Sequence, residues 1–293
     1  MKKTVTFALC ILLLFTLLAG CQRSTPLAQS APETTAPTQA TTEPITEATT
    51  EPTTAPTTQA TTAPSGAEFT PVSTGAQAQV HVSTVDELLT ALAPDTEIIL
   101  DAEFFDLSTA TGYGEASTAY YYWEEVFDGV QLTIRDLSNL TIRAEGDDIK
   151  AHTVSARPRY AHVINFENCS AITVEGFTAG HTVEPGSCTG GVIGFRGSQD
   201  ILIMGCGLYG CGVVGVWADM SKNIQVANCD IYECSWGGIY MVGCQDVTFS
   251  GNTIRDLGEV FDGVRYDGTP FMLHDTTGIT IDGVKMNDNY IGN

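Results

Sequence analysis

DILIMGCGLYGCGVVGVW (residues 200–217) is followed, 23 residues on, by NIQVANCDIYECSWGGIY (residues 223–240), and the two stretches align position by position. Ile201 and Ile203 match Ile224 and Val226, Leu208 matches Ile231, and Val216 matches Ile239. Apolar residues alternate with small or polar ones, the period-2 signature of strands rather than helices. Glycines at 205, 207, 210, 212 and 215 mark sharp corners where a larger side chain would clash. Three short strands with tight corners in 23 residues describe one coil of a parallel solenoid.

The opening of this repeat recurs as NLTI (139–142), AITV (171–174), DVTF (246–249) and GITI (278–281). Its apolar anchors Leu140, Ile172, Ile201, Ile224, Val247 and Ile279 are separated by 32, 29, 23, 23 and 32 residues, so the long intervals are the bare coil plus 9, 6 and 9 inserted residues. Over residues 82–293 this pattern resembles the right-handed parallel β-helix proteins of pectin-lyase-like architecture. The resemblance implies an all-β fold: a three-sheet, right-handed parallel β-helix with coils of about 23 residues. It implies polysaccharide chemistry more weakly, because the repeat specifies fold rather than reaction. Lyases of this architecture use a basic residue to abstract a sugar proton, often with Ca²⁺. The triple-Asp pattern of the polygalacturonase relatives and an Arg-rich pectate-lyase motif are both missing, so no catalytic residue carries over.

An open coil end needs a cover. TVDE (84–87) is a capping box, and Val85, Leu88, Leu89 and Leu92 form an apolar stripe at helical spacing. The spacing predicts a helix over 84–93 plugging the N-terminal end, then a strand at 97–100. No comparable cap follows Ile279. The expectation there is an exposed coil end, a dimer contact, or a chain truncated at its C-terminus.

Upstream, MKK precedes an apolar run from Thr4 to Leu18, the layout of a secretory signal. LAGC (18–21) resembles the bacterial lipobox, which implies cleavage before Cys21 and acylation of that residue. Residues 33–64 hold 14 Thr and 5 Pro with no aromatic residue, a composition that stays extended. The expected organisation is therefore a lipoprotein signal (1–20), a disordered tether (21–66) and the β-helix domain (67–293). The protein is expected at the bacterial cell surface, touching the membrane through acyl chains only.

Composition supports this. There are 35 acidic and 13 basic residues, net −22, which disfavours nucleic acid and anionic lipid alike. The nine cysteines form no CxxC or zinc-finger spacing. Cys206 and Cys229, and likewise Cys211 and Cys234, lie one coil apart; Cys169 and Cys244 share a register position with Ser198 and Ser221 between them. Such ladders read as buried free thiols rather than disulfides.

The insertions fall near 146–161, 182–190 and 257–270, after equivalent coil positions, which predicts a groove walled by loops with the bare coils as floor. One register column reads His181, Gly210, Glu233, Asp256; its neighbour reads Gly180, Tyr209, Tyr232, Arg255; a third outward column holds Trp217 and Tyr240. The loops add His152, Arg157, Arg159 and His162 on one wall, Glu184 beside it, and Glu259, Asp262, Arg265 and Asp267 on the other. Outward rings suit a saccharide, and equally they stabilise neighbouring strands. Glu233 and Asp256, one strand spacing of ~4.8 Å apart, suit the carboxylate pair of a retaining glycosidase at about 5 Å. A Ca²⁺ site or a plain solvated acidic face would use the same oxygens. His181 is a candidate base, and Arg157 and Arg159 are candidate partners for sugar carboxylates. Two function classes follow: a surface enzyme cleaving polysaccharide, or a glycan-binding or structural module.

Overall fold

The computed structural model describes residues 72–73, 75–146, 148–182, 190–210, 214–258, 260–261, 264–265, 268–286 and 289–291. The signal segment, the tether, Cys21 and Cys211 lie outside the described residues, as do Glu184, Glu259, Asp262, Asp267 and the side chain of Arg265.

Successive strands wind through three sheets and stack on the coil before, giving a parallel β-helix. The first sheet holds Ser138–Ala144, Ser170–Glu175, Gln199–Met204, Lys222–Ala227, Gln245–Ser250 and Thr277–Asp282. All six sequence anchors sit in one column of this sheet: Leu140 pairs with Ile172, Ile172 with Ile201, Ile201 with Ile224, Ile224 with Val247, and Val247 with Ile279. The second sheet holds Thr153–Ala156, Thr178–His181, Gly207–Tyr209, Asp230–Tyr232 and Thr253–Arg255. The third holds Ile164–Glu167, Gly191–Arg196, Val214–Asp219, Gly237–Val242 and Thr269–His274.

Inward residues fill the coil completely. Ile201, Ile203, Leu208, Val216, Ile224, Val226, Ile231 and Ile239 are all fully buried, each worth about 1.5–3 kcal/mol of transfer free energy. Phe166 and Phe195 stack at 5.1 Å between adjacent coils.

The first residue of the repeat now has a physical reason. Asn139, Ala171, Asp200, Asn223, Asp246 and Gly278 all have φ between 51° and 65°. A left-handed residue turns the chain into each first-sheet strand, and Asn, Asp and Gly tolerate that conformation best. At Gly278 a Cβ would also lie 2.6 Å from Asp246 Oδ1, so stacking of the corners themselves favours glycine there.

Cys169, Cys206, Cys229, Cys234 and Cys244 are buried and unbridged. At the corner between the third and first sheets, Cys169 N donates to Ser198 Oγ (3.1 Å) and Ser198 N to Ser221 Oγ (3.0 Å). At the corner between the first and second sheets, Cys229 N donates to Asn252 Oδ1 (2.9 Å). A small side chain that packs and bonds locally is what these corners require.

The helix forms as Val85–Ala91, with both reciprocal bonds of the Thr84–Glu87 capping box, and it buries Val85, Leu88 and Leu89. Two elements near it escaped the sequence reading. Ala78–Val82 pairs parallel with Thr96–Leu100, so the helix is a crossover inside the first sheet rather than the leading element. Tyr121–Val126 and Gly129–Arg135 form an antiparallel hairpin that starts the third sheet. At the other end, Asn289–Ile291 runs back antiparallel on Val284–Met286.

Candidate functional site

The insertion read as one loop over 146–161 is two. Thr153–Ala156 is a second-sheet strand within it, so the residues before it turn the corner from the first sheet and those after it lead to the third. His152 belongs to the former corner, where its Nδ1 bonds to Ala102 O at 2.8 Å, and it does not join the residues of the proposed groove. The described ends of the other two insertions, Thr182 with Gly190 and Gly258 with Gly268, lie between a second-sheet and a third-sheet strand. Most of 183–189 and 259–267 lies outside the described residues.

On the second sheet, Gly180, Tyr209, Tyr232 and Arg255 stand in register as the spacing predicts. The tyrosine rings stack at 5.7 Å with 16° between planes, and the Arg255 guanidinium lies 4.4 Å above Tyr232. A Cβ on Gly180 would meet the Tyr209 ring at 2.4 Å, so that ring lies flat on the glycine backbone. Arg255 is clamped by Asp230 through Nε (2.9 Å) and Nη2 (2.7 Å) and by Asp256 Oδ2 (2.8 Å). Burial raises the pKa of both phenols. The stack is closed at both ends by the protein's own groups, and its ring faces are occupied.

The remaining carboxylates and cations sort differently from the sequence reading. Glu233 and Asp256 are exposed and hold the left-handed corner position (φ 54° and 52°) that Gly210 fills one coil earlier. His181 is 3% exposed; its Nε2 donates to Ala161 O at 2.9 Å, and burial depresses its pKa. It faces packing rather than solvent, because the inserted chain at 157–163 folds over it. Arg157 is engaged by Asp106 at 2.9 Å, and the backbone N of Arg159 donates to Asp128 Oδ2 at 2.7 Å.

The third sheet offers the more open arrangement. Trp217 and Tyr240 are register partners with ring centroids 4.4 Å apart and tilted by 45°. Trp236 is 49% exposed and extends the belt at 5.7 Å from Tyr240. His274 adds a ring at 5.6 Å from Tyr240, and His162 meets Trp217 edge-on at 5.6 Å. The His162 niche is built by glycine: a Cβ at Gly194 would lie 2.7 Å from the imidazole, and one at Gly191 2.8 Å from it. Gly191 N donates to His162 Nδ1 at 2.9 Å, which places the ring proton on Nε2. Burial, with His181 nearby, pushes the His162 pKa down to about 4, so the ring is neutral at pH 7.

Beside this belt lies a polar network. Glu124 Oε2 accepts from Gln131 Nε2 (2.7 Å) and Thr133 Oγ1 (2.9 Å), and Asn165 Nδ2 donates to Thr133 Oγ1 (3.2 Å). Arg196 bridges Glu124 (3.3 Å) and Glu167 (3.0 Å), and Tyr122 OH donates to Glu167 at 2.7 Å. Burial and that carboxylate push the Tyr122 pKa up to about 12, while the phenol's hydrogen bond lowers that of Glu167. Trp217 Nε1 donates to Asp219 Oδ2 at 2.9 Å, which orients the indole.

Sequence reasoning missed this network, although a signal was present. Arg135, Glu167, Arg196 and Asp219 are spaced by 32, 29 and 23 residues, the same intervals as the first four apolar anchors, and they stand in one register column. Among the described residues no group of three His, Cys, Asp or Glu could hold a metal ion. No helix among them is long and apolar enough to cross a membrane.

A coil-by-coil β-helix with a belt of rings on its third sheet defines the class of protein. The family described as "Right handed beta helix region" matches residues 137–292, and the chain belongs to it. Among solved structures it is similar to a proposed glycosyl hydrolase from Parabacteroides merdae ATCC 43184, at 14% identity and a TM-score of 0.39, over 57% of this chain and 82% of that one. That likeness is too distant to argue from. The curated proteins contain no match.

Proposed function

We propose that this is an exported surface protein, anchored through acylated Cys21, that binds polysaccharide on the outward face of its third sheet. The observation that carries the reading is the belt Trp236–Tyr240–Trp217–His162, which crosses neighbouring coils beside Glu124, Gln131, Asn165 and Asp219. Sugars present C–H faces to rings and hydroxyls to carboxylates, so the rings and the part-exposed Glu124 and Asp219 match the two halves of a saccharide. The lipobox and the Thr/Pro tether support display at the cell surface. The experiment is a panel of immobilised neutral and uronic-acid glycans. Retention of one glycan, lost in Trp217→Ala/Trp236→Ala with an unchanged circular dichroism spectrum, supports the reading; retention of none sinks it. Labelled fatty acid entering the wild type and not Cys21→Ala supports the anchor.

Cleavage is the second reading. Glu233 and Asp256 occupy equivalent corners of adjacent coils at the edge of this face; neighbouring strands lie ~4.8 Å apart, which compares with the carboxylate spacing of about 5 Å in retaining glycosidases. New reducing ends or unsaturated products from the retained glycan, abolished in Glu233→Gln with binding kept, support turnover; loss of a Ca²⁺ dependence in the same variant supports a metal role instead.

A further inference from the structure

The outward face of the first sheet carries a different arrangement. An open depression of about 930 Å³ lies over its N-terminal coils. Its floor is Thr141, Thr173 and Leu202, register partners that point outward yet are only 8%, 9% and 6% exposed. Val72 and Ser73 form one wall, held where Ser73 Oγ donates to Asn139 Oδ1 at 2.9 Å. The next outward column reads Arg143, Glu175, Met204. Among the described residues no aromatic ring lines the depression, which separates its chemistry from that of the third sheet.

Charge in this depression does not close. Arg143 is the register partner of Glu175, but its Nε donates to Glu97 and its Nη2 to Glu145 at 3.4 Å. Glu97 receives a further bond from Gln79 Nε2 at 2.8 Å. Glu175 is left half-buried without a hydrogen bond or ion pair among the described residues. Burial raises its pKa, Arg143 pulls it back in part, and Glu97 adds a smaller push upward; Glu97 itself is held low, chiefly by the Arg143 bond. A partly desolvated carboxylate gains most from an incoming cation. Val72, Ala144, Leu202 and Met204 provide apolar surface beside it, suited to an alkyl stem that ends in a charge. The net charge of −22 raises the local concentration of cations.

We propose that this depression binds an alkylammonium group, the side chain of a lysine in a partner peptide, with the ammonium on Glu175 and the stem on Leu202 and Met204. The site is independent of the glycan reading.

The test is an NMR titration of the full chain with Nα-acetyl-lysine N-methylamide, compared with the norleucine analogue, which keeps the stem and lacks the charge. Saturable binding of the lysine probe at pH 7.5 is expected, with the norleucine probe and the Glu175→Gln variant each weaker by about fivefold or more. Binding should weaken as pH falls and Glu175 takes up its proton. Thr173→Lys, which places an ammonium on the same strand, should block the probe, and Trp217→Ala should leave it unchanged. Equal binding of the two probes, an unaffected Glu175→Gln, tighter binding of glucosamine than of the lysine probe, or no saturable binding would each overturn the proposal. None of these outcomes touches glycan retention, so the two readings fail separately.

Discussion

The second and third sheets carry aromatic pairs that look equivalent along the chain: Tyr209 with Tyr232, and Trp217 with Tyr240, each 23 residues apart. They differ in what closes the stack. The tyrosine pair is bounded by the Gly180 backbone below and the clamped Arg255 above, so its faces are already used. The tryptophan pair continues into the exposed Trp236 and into a network of carboxylates and amides. A ladder is therefore a binding surface only where its end is left open, and residues outside the ladder decide that.

The largest expected effect tests interior against exterior. Phe195→Ala, which removes a fully buried ring from a stacked interior pair, should cost about 3–5 kcal/mol. Trp217→Ala, on the outward face, should cost well under half of that. Urea midpoints at constant m-value measure both, and equal losses would erase the distinction between the two sides of the strand.

Next is pH. His162 titrates at about 4 in the fold against the ordinary histidine value of 6.5, so the unfolded chain binds more protons between those values. Stability is then full above pH 6.5 and falls as pH drops toward 4, by up to about 3 kcal/mol. His162→Gln should flatten this slope in pH-dependent denaturation, and an unchanged slope would place the imidazole in solvent.

Gly180→Ala sharpens the comparison directly. The new methyl must displace the Tyr209 ring, and overpacking of this kind costs about 1–3 kcal/mol. A thermal midpoint unchanged from wild type would show that the tyrosine stack is looser than its register implies. The smallest effect concerns ligand. On the proposed reading, Tyr232→Ala should change glycan retention less than twofold, whereas Trp236→Ala should weaken it several-fold, each ring contact being worth about 1 kcal/mol. Affinity electrophoresis in the retained glycan ranks the two, and the reverse order would move the site to the second sheet.

The coil repeat, its register, the stacked thiols and the capped helix were legible in the sequence because each is enforced locally. Period-2 alternation, left-handed corners and a capping box constrain residues a few positions apart, and stacking repeats those constraints at fixed intervals. The N-terminal strand Ala78–Val82 was not legible, since it does not follow the repeat, and in the hairpin only Gly129–Arg135 keeps the 32-residue interval while its antiparallel partner Tyr121–Val126 does not. Nor was the fate of His181, buried by an insertion whose path no spacing encodes. The network around Glu124 and Arg196 unites residues 72 positions apart on a hairpin and a coil strand, and Glu175 has no hydrogen bond or ion pair among the described residues because Arg143 turns to Glu97 instead. Register says which backbones are neighbours. Which side chain each charge then chooses is a competition among groups from several coils, and only the assembled face resolves it.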